Sequence, residues 1–216
     1  MTGVTALKES RHISALAHVP KRPASHAPLP TTPMSAARYR DYPAEVLARA
    51  KRIRLACFDV DGTLTDGRLY LDDRGGEAKA FHVQDGQGLA LLRRSGIAIA
   101  LVTARGGNVA ERRGAELGAE VFTAVTDKRG CVESLCQRLE ITADAVAFIG
   151  DDLADLHALD AAGLSVAPAD AHPWIAARVH WQTQSRGGEG AARELCDLLL
   201  IAQGKVDALL AKGREP

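Results

Sequence analysis

Neither sign of charge predominates in this sequence. It carries 27 basic and 27 acidic side chains, which argues against a nucleic-acid binder, since such proteins usually show a basic excess. Also missing is any apolar run of about 18 residues, the length a membrane span needs. Cysteines are few, and Cys57, Cys131, Cys136 and Cys196 form no CxxC pair. They are expected to be reduced, buried thiols in a cytoplasmic protein. Acids are nearly absent from the first forty residues, where Pro20, Pro23, Pro28, Pro30 and Pro33 interrupt any periodicity. Residues 1–42 are therefore expected to be a disordered leader. The leader has no continuous apolar core, so it does not read as a secretory signal. It is basic enough for an organelle transit peptide but shows no amphipathic stripe. Met34, just before helix-like sequence begins, is an alternative translation start.

The remainder has an ordinary globular composition, and the chain's 216 residues, 46% hydrophobic and 25% charged, suit one domain. Its organisation is an alternation. Pro43 to Lys51 reads as a short helix and Ile53 to Phe58 as a fully buried strand. Gly67 to Leu71 and Glu77 to Val83 flank the turn signal Asp72-Asp73-Arg74-Gly75-Gly76, which predicts a β-hairpin over about 67–83. Asp85 is the expected N-cap of a helix running through Leu92. Strands are then expected at Ile97 to Val102, Glu120 to Phe122, Ala145 to Ile149 and Gly163 to Val166. An edge strand is expected at Arg178 to Trp181. Helices fall between them, at Asn108 to Leu117, Asp127 to Leu139, Leu153 to Ala161 and His172 to Ala177. A last helix runs from Gly190 to Gln203. This pattern predicts an α/β domain over 43–212: a Rossmann-like, doubly wound parallel sheet with helices on both faces. The hairpin spans too few residues to be a separate cap domain.

Four polar clusters sit where expected strands end or helices begin. Asp59 and Asp61 follow the first strand, and residues i and i+2 of a strand point the same way. Two acids so placed are costly without a cation between them. Thr103-Ala104-Arg105 follows the second strand, Lys128 opens a helix, and Gly150-Asp151-Asp152 with Asp155 follows the strand ending at Ile149. In a doubly wound sheet all four converge on the crevice beyond the carboxyl ends of the strands. Each suits phosphoryl transfer. Asp59 is the candidate nucleophile, and Asp61 the candidate acid and base. Lys128 and Thr103 are candidates to stabilise phosphate charge. Asp59, Asp151 and the Asp61 carbonyl are candidate ligands of Mg²⁺, with Asp152 and Asp155 in support. Asp152 and Asp155 are also readable simply as favourable charges in a helix's first turn.

The ordered set Asp59-Val-Asp61-Gly-Thr, Thr103, Lys128 and Gly150-Asp151-Asp152 resembles the haloacid dehalogenase superfamily. Further motifs are similar to one family within it, the 3-deoxy-D-manno-octulosonate 8-phosphate (KDO 8-phosphate) phosphatases. These are Thr65-Asp66-Gly67, Gly76-Glu-Ala-Lys79-Ala-Phe81, Asp85-Gly-Gln-Gly88, Ala169-Asp-Ala-His-Pro173 and Gly187-Gly-Glu-Gly-Ala-Ala-Arg193-Glu. The resemblance covers roughly residues 45–205. It implies a capless, Mg²⁺-dependent phosphatase that frees KDO for lipopolysaccharide, working as a cytoplasmic homotetramer in which neighbours help close each site. It also implies phosphate or substrate contacts for Thr103, Ala104, Arg105, Lys128, Asp66 and Lys79, with Arg105 where a sugar-acid carboxylate is held. Ala104 stands where the family usually has Gly, and Glu189 where many members have Arg. A phosphatase for another sugar-acid phosphate, such as a nonulosonate 9-phosphate, and a non-catalytic scaffold are the alternatives.

Overall fold

A computed structural model of the protein describes residues 42–212. The expected leader, apart from Tyr42, and the alternative start at Met34 lie outside the described residues.

Six parallel strands form the sheet: β1 (Leu55–Phe58), β4 (Ala98–Val102), β5 (Glu120–Phe122), β6 (Val146–Ile149), β7 (Leu164–Ala167) and β8 (Trp181–Gln182). Their spatial order is β5-β4-β1-β6-β7-β8. The chain winds outward from β1 in one direction, then returns to β1's other side and winds the opposite way. The reversal lies between β1 and β6, where the carboxyl ends of two neighbouring strands open a crevice. Register pairs Phe58 with both Leu101 and Ile149, so the residues following these three strands emerge side by side.

Burial on both faces explains why β1 is apolar throughout. Leu55 and Cys57 face one core with Val146 and Phe148. Ala56 and Phe58 face the other with Ile99, Leu101 and Ile149. The second core also takes residues from α1 (Ala44–Ala50), α2 (Val83–Arg94), α3 (Asn108–Leu117) and α7 (Ala191–Ala202). The first takes residues from α4 (Lys128–Leu139), α5 (Leu156–Ala161) and α6 (Pro173–Ala176). Leu195, Leu198 and Leu199 of α7 are wholly buried, each stabilising the fold by about 1.5–3 kcal/mol. The hairpin is real but short: β2 (Tyr70–Leu71) pairs antiparallel with β3 (Glu77–Ala78).

Two expectations are corrected. Asp85 is not an N-cap, because α2 starts at Val83, with His82 in the cap position. Asp85 is buried instead, and its carboxylate accepts bonds from the backbone N–H of Gly190 and Arg193. It thus satisfies the start of α7 from a neighbouring helix, a long-range form of capping that local sequence does not reveal. The helix ending near Gln203 is also not the last. The chain turns at Gly204, where φ is +64°, and enters α8 (Val206–Lys212).

Candidate active site

The crevice beyond β1, β4 and β6 holds a cavity of roughly 290 Å³. Its lining includes Asp59, Asp61, Thr103, Ala104, Arg105, Lys128, Asp151, Asp152 and Asp155. Nine of the eleven residues singled out in the sequence therefore meet in one place. The other two, Asp66 and Lys79, do not line it. Asp66 bonds to the Arg68 backbone N–H and side chain and to the Tyr70 hydroxyl. Lys79 reaches the site through Asp61.

The buried centre is an ion cluster. Lys128 Nζ donates to Asp59 Oδ1 and to Asp155 Oδ1, both at 2.5 Å. Lys128 is presented there because Asp127 caps α4, accepting from the Gly130 N–H at 2.9 Å, so the helix begins at the crevice. Oxygens of Asp59, Asp151 and Asp155 lie within 4.8 Å of one another. Three carboxylates against one ammonium leave negative charge uncompensated. Burial first, and then Asp155, push the Asp59 carboxyl well above its ordinary value, although Lys128 opposes them. Burial and Asp155 push Asp151 up to about 6. Burial alone would lower Lys128, but Asp59 and Asp155 outweigh it and hold the ammonium above its ordinary value. The donor set fits a hard divalent cation: clustered carboxylate oxygens whose repulsion such an ion relieves.

Local backbone sets these carboxylates. Asp155 Oδ2 accepts from the N–H groups of Asp151 and Asp152, while Asp152 accepts from Leu153 N–H at 2.7 Å. Asp155 is therefore both the organiser of the turn after β6 and a member of the cluster. Asp152 lines the cavity edge with its side chain turned to its own loop. Gly62 has φ +89°, and a Cβ there would lie 2.2 Å from an Asp151 oxygen. Only glycine lets the loop after β1 pass this close to the loop after β6. Thr63 Oγ1 donates to Asp151 Oδ1 at 3.3 Å, a tie that the sequence pattern showed only as a motif letter.

Asp61 points away from the ion cluster. Its Oδ1 accepts from Lys79 Nζ at 2.5 Å and its Oδ2 from Thr103 Oγ1 at 3.3 Å. Thr103 Oγ1 in turn accepts from the Arg105 N–H at 3.1 Å. The Arg105 side chain is partly exposed and bonds Glu77 Oε2 on the hairpin at 2.8 Å. Glu77 is the functional candidate that sequence reasoning passed over. It sits inside the motif carrying Lys79, but only folding shows that it bridges Lys79 and Arg105. A second cleft of roughly 360 Å³ lies between this hairpin strand and α3, lined by Glu77, Lys79, Phe81, Arg112, Arg113 and Glu116 among others.

The loop before α7 supports the site from below. Gly188 N–H donates to Thr63 O at 3.0 Å. A Cβ on Gly187 would stand 1.8 Å from the Gly62 carbonyl oxygen. Glu194 clamps this loop by accepting from Gln184 N–H, Ser185 N–H and Ser185 Oγ.

Residues 112–195 match the model of the haloacid dehalogenase-like hydrolase family. The chain is 44% identical over 177 residues to the Escherichia coli K12 3-deoxy-D-manno-octulosonate 8-phosphate phosphatase KdsC, covering 82% of this chain and 93% of that protein. It belongs to the KDO 8-phosphate phosphatase family. Solved structures of this family superpose on it. The Yersinia pestis phosphatase gives a TM-score of 0.75 at 42% identity, covering 76% of this chain and 89% of that one. The Moraxella catarrhalis phosphatase, solved with magnesium, phosphate and KDO, gives 0.78 at 38% identity, covering 80% and 100%. The described residues carry the α/β fold of these structures, with the β2–β3 hairpin between β1 and α2.

Proposed function

We propose that this protein hydrolyses KDO 8-phosphate to KDO and inorganic phosphate, a step of lipopolysaccharide biosynthesis. The observation that carries the reading is the convergence of Asp59, Asp61, Thr103, Lys128 and Asp151 on one cavity in a chain 44% identical to a KDO 8-phosphate phosphatase along nearly that protein's whole length.

A carboxylate oxygen of Asp59 attacks phosphorus, forming an aspartyl-phosphate as the bond from phosphorus to the sugar oxygen breaks. Asp61 gives its proton to that departing oxygen. In the second half Asp61 takes a proton from water, whose oxygen attacks phosphorus. The bond to Asp59 breaks, releasing phosphate and restoring the carboxylate. Lys128 holds Asp59 in line and offsets the phosphoryl charge, and Thr103 orients Asp61. Asp59, Asp151 and the Asp61 carbonyl, with Asp155 in support, would hold Mg²⁺, which would supply neutralisation of phosphate charge. Arg105 stands at the cavity rim where the sugar-acid carboxylate is held. Ala104 lies in the same exposed phosphate loop, and Asp152 keeps the turn beside Asp151 in shape. Asp66 contributes by fixing the loop entering the hairpin.

The catalytic domain spans 43–212, its hairpin replaces a cap, and it works as a cytoplasmic homotetramer. Leu69 and the β2 residues Tyr70 and Leu71 support the assembly, since 45%, 48% and 67% of their surfaces are exposed. No helix among the described residues is long and apolar enough to cross a membrane.

A phosphate-release panel tests the substrate. With Mg²⁺ present, kcat/KM for KDO 8-phosphate is expected to exceed that for hexose 6-phosphates by at least about 10²-fold. Comparable values overturn the assignment, and a higher value for a nonulosonate 9-phosphate transfers it to that substrate.

A further inference from the structure

The Lys79 side chain is 4% exposed and lies along the cleft between the hairpin strand and α3. It is shared between Asp61 Oδ1 at 2.5 Å and Glu77 Oε1 at 3.2 Å. Lys79 does not line the cavity that holds Asp59 and Asp151. A lysine so engaged is poorly placed to grip a phosphate directly, and a buried ammonium without its carboxylates would be costly.

We propose that Lys79 is a positioning residue for the reaction: it fixes the Asp61 carboxylate in the orientation from which that acid serves the departing oxygen. This rests on the phosphatase reading and on the role of Asp61 given above. Beyond Lys79, the side-chain contact holding Asp61 is the Thr103 hydroxyl at 3.3 Å, which leaves the carboxylate free to swing about χ1 and χ2. The lysine closes that freedom from the opposite oxygen. Its own position is set by Glu77, which the Arg105 guanidinium holds on the other side at 2.8 Å. Arg105, Glu77, Lys79 and Asp61 thus form a chain of alternating charge from the cavity rim to the reacting end. It is the means by which a small, exposed hairpin acts on chemistry it does not touch. A displaced proton donor is slow even when substrate binds normally, because the reacting atoms must be within hydrogen-bond reach.

The test uses the full chain with Mg²⁺ and KDO 8-phosphate. Lys79→Met is expected to lower kcat roughly 10–100-fold with KM little changed. Lys79→Arg should recover much of the loss. In an Asp61→Asn background Lys79→Met should cost nothing further, since residues acting as a unit are non-additive. Lys79→Gln replaces Lys79→Met if the latter melts below the assay temperature. An undiminished kcat overturns the proposal. A raised KM at constant kcat does so too, since the lysine then contacts substrate. Independent, multiplying losses in the double variant also count against it. A wild type that releases no phosphate refutes the phosphatase reading instead.

Discussion

Asp59 and Lys128 lie 69 residues apart in the chain and 2.5 Å apart in space. The pair is buried, and Asp59 shares its lysine with Asp155. This arrangement gives each residue a separable consequence. Asp59→Asn should lower phosphate release by at least about 10³-fold while circular dichroism and melting remain native. Activity near wild type would remove the nucleophile assignment. The crowded carboxylates of Asp59, Asp151 and Asp155 predict that a divalent cation stabilises the fold. Mg²⁺ at 100 times its Kd should add about 2.7 kcal/mol, seen as a higher Tm, and EDTA should abolish both the shift and turnover. Asp151→Asn should lose most of the shift, and a shift of wild-type size would argue against Asp151 as a ligand. Asp59, Asp61, Lys128 and Asp151 were legible in the sequence because each follows an apolar strand or opens a helix. Lys79 and Asp66 carried no such signal for their contacts. Their partners are set by how the hairpin folds back.

At the scale of elements, the reacting loop after β1 depends on a loop before α7, more than a hundred residues later. Gly187 touches the Gly62 carbonyl so closely that no side chain fits. Gly187→Ala should cost about 1–3 kcal/mol by overpacking and also lower kcat, because the loop carrying Asp61 must move. A stable variant of full activity would show that the two loops are not coupled. The sheet edge has its own pH sensitivity. His180 Nδ1 accepts from Ser165 N–H at 3.0 Å, so Nδ1 must be unprotonated. Burial first, and then Arg49, hold its pKa below the ordinary 6.5. The unfolded chain therefore takes up a proton that the folded chain resists. This contribution is whole above pH 6.5 and is lost as pH falls toward the lower folded value. Melting of the wild type should decline over that interval more steeply than that of His180→Gln. Equal slopes would discount the histidine. The helix and strand positions follow from periodicity, and α3 and β5 match the sequence reading residue for residue. Asp85 shows the limit: an acid opening a helix reads as its cap, whereas here it satisfies α7.

At the scale of the whole molecule, the hairpin leaves Leu69, Tyr70 and Leu71 exposed, a run of apolar side chains of the kind that marks an interaction surface. The homotetramer proposal predicts that light scattering after size exclusion gives four times the chain mass. Leu71→Glu should shift it to smaller species and lower kcat/KM. A fully active monomer in the wild type would end that proposal. The sequence by itself determined the α/β class, the winding outward from a central strand, and the acids, threonine and lysine that line the crevice. It could do so because strand and helix periods are local, and because the crevice of a doubly wound sheet always lies beyond the carboxyl ends of its strands. Only the tertiary structure decided that Lys79 serves Asp61, that Glu77 joins it to Arg105, that Asp85 caps the start of α7 from α2, and that Gly187 supports Gly62. These are contacts between loops distant in the chain, made by packing and charge pairing, and no local period records them.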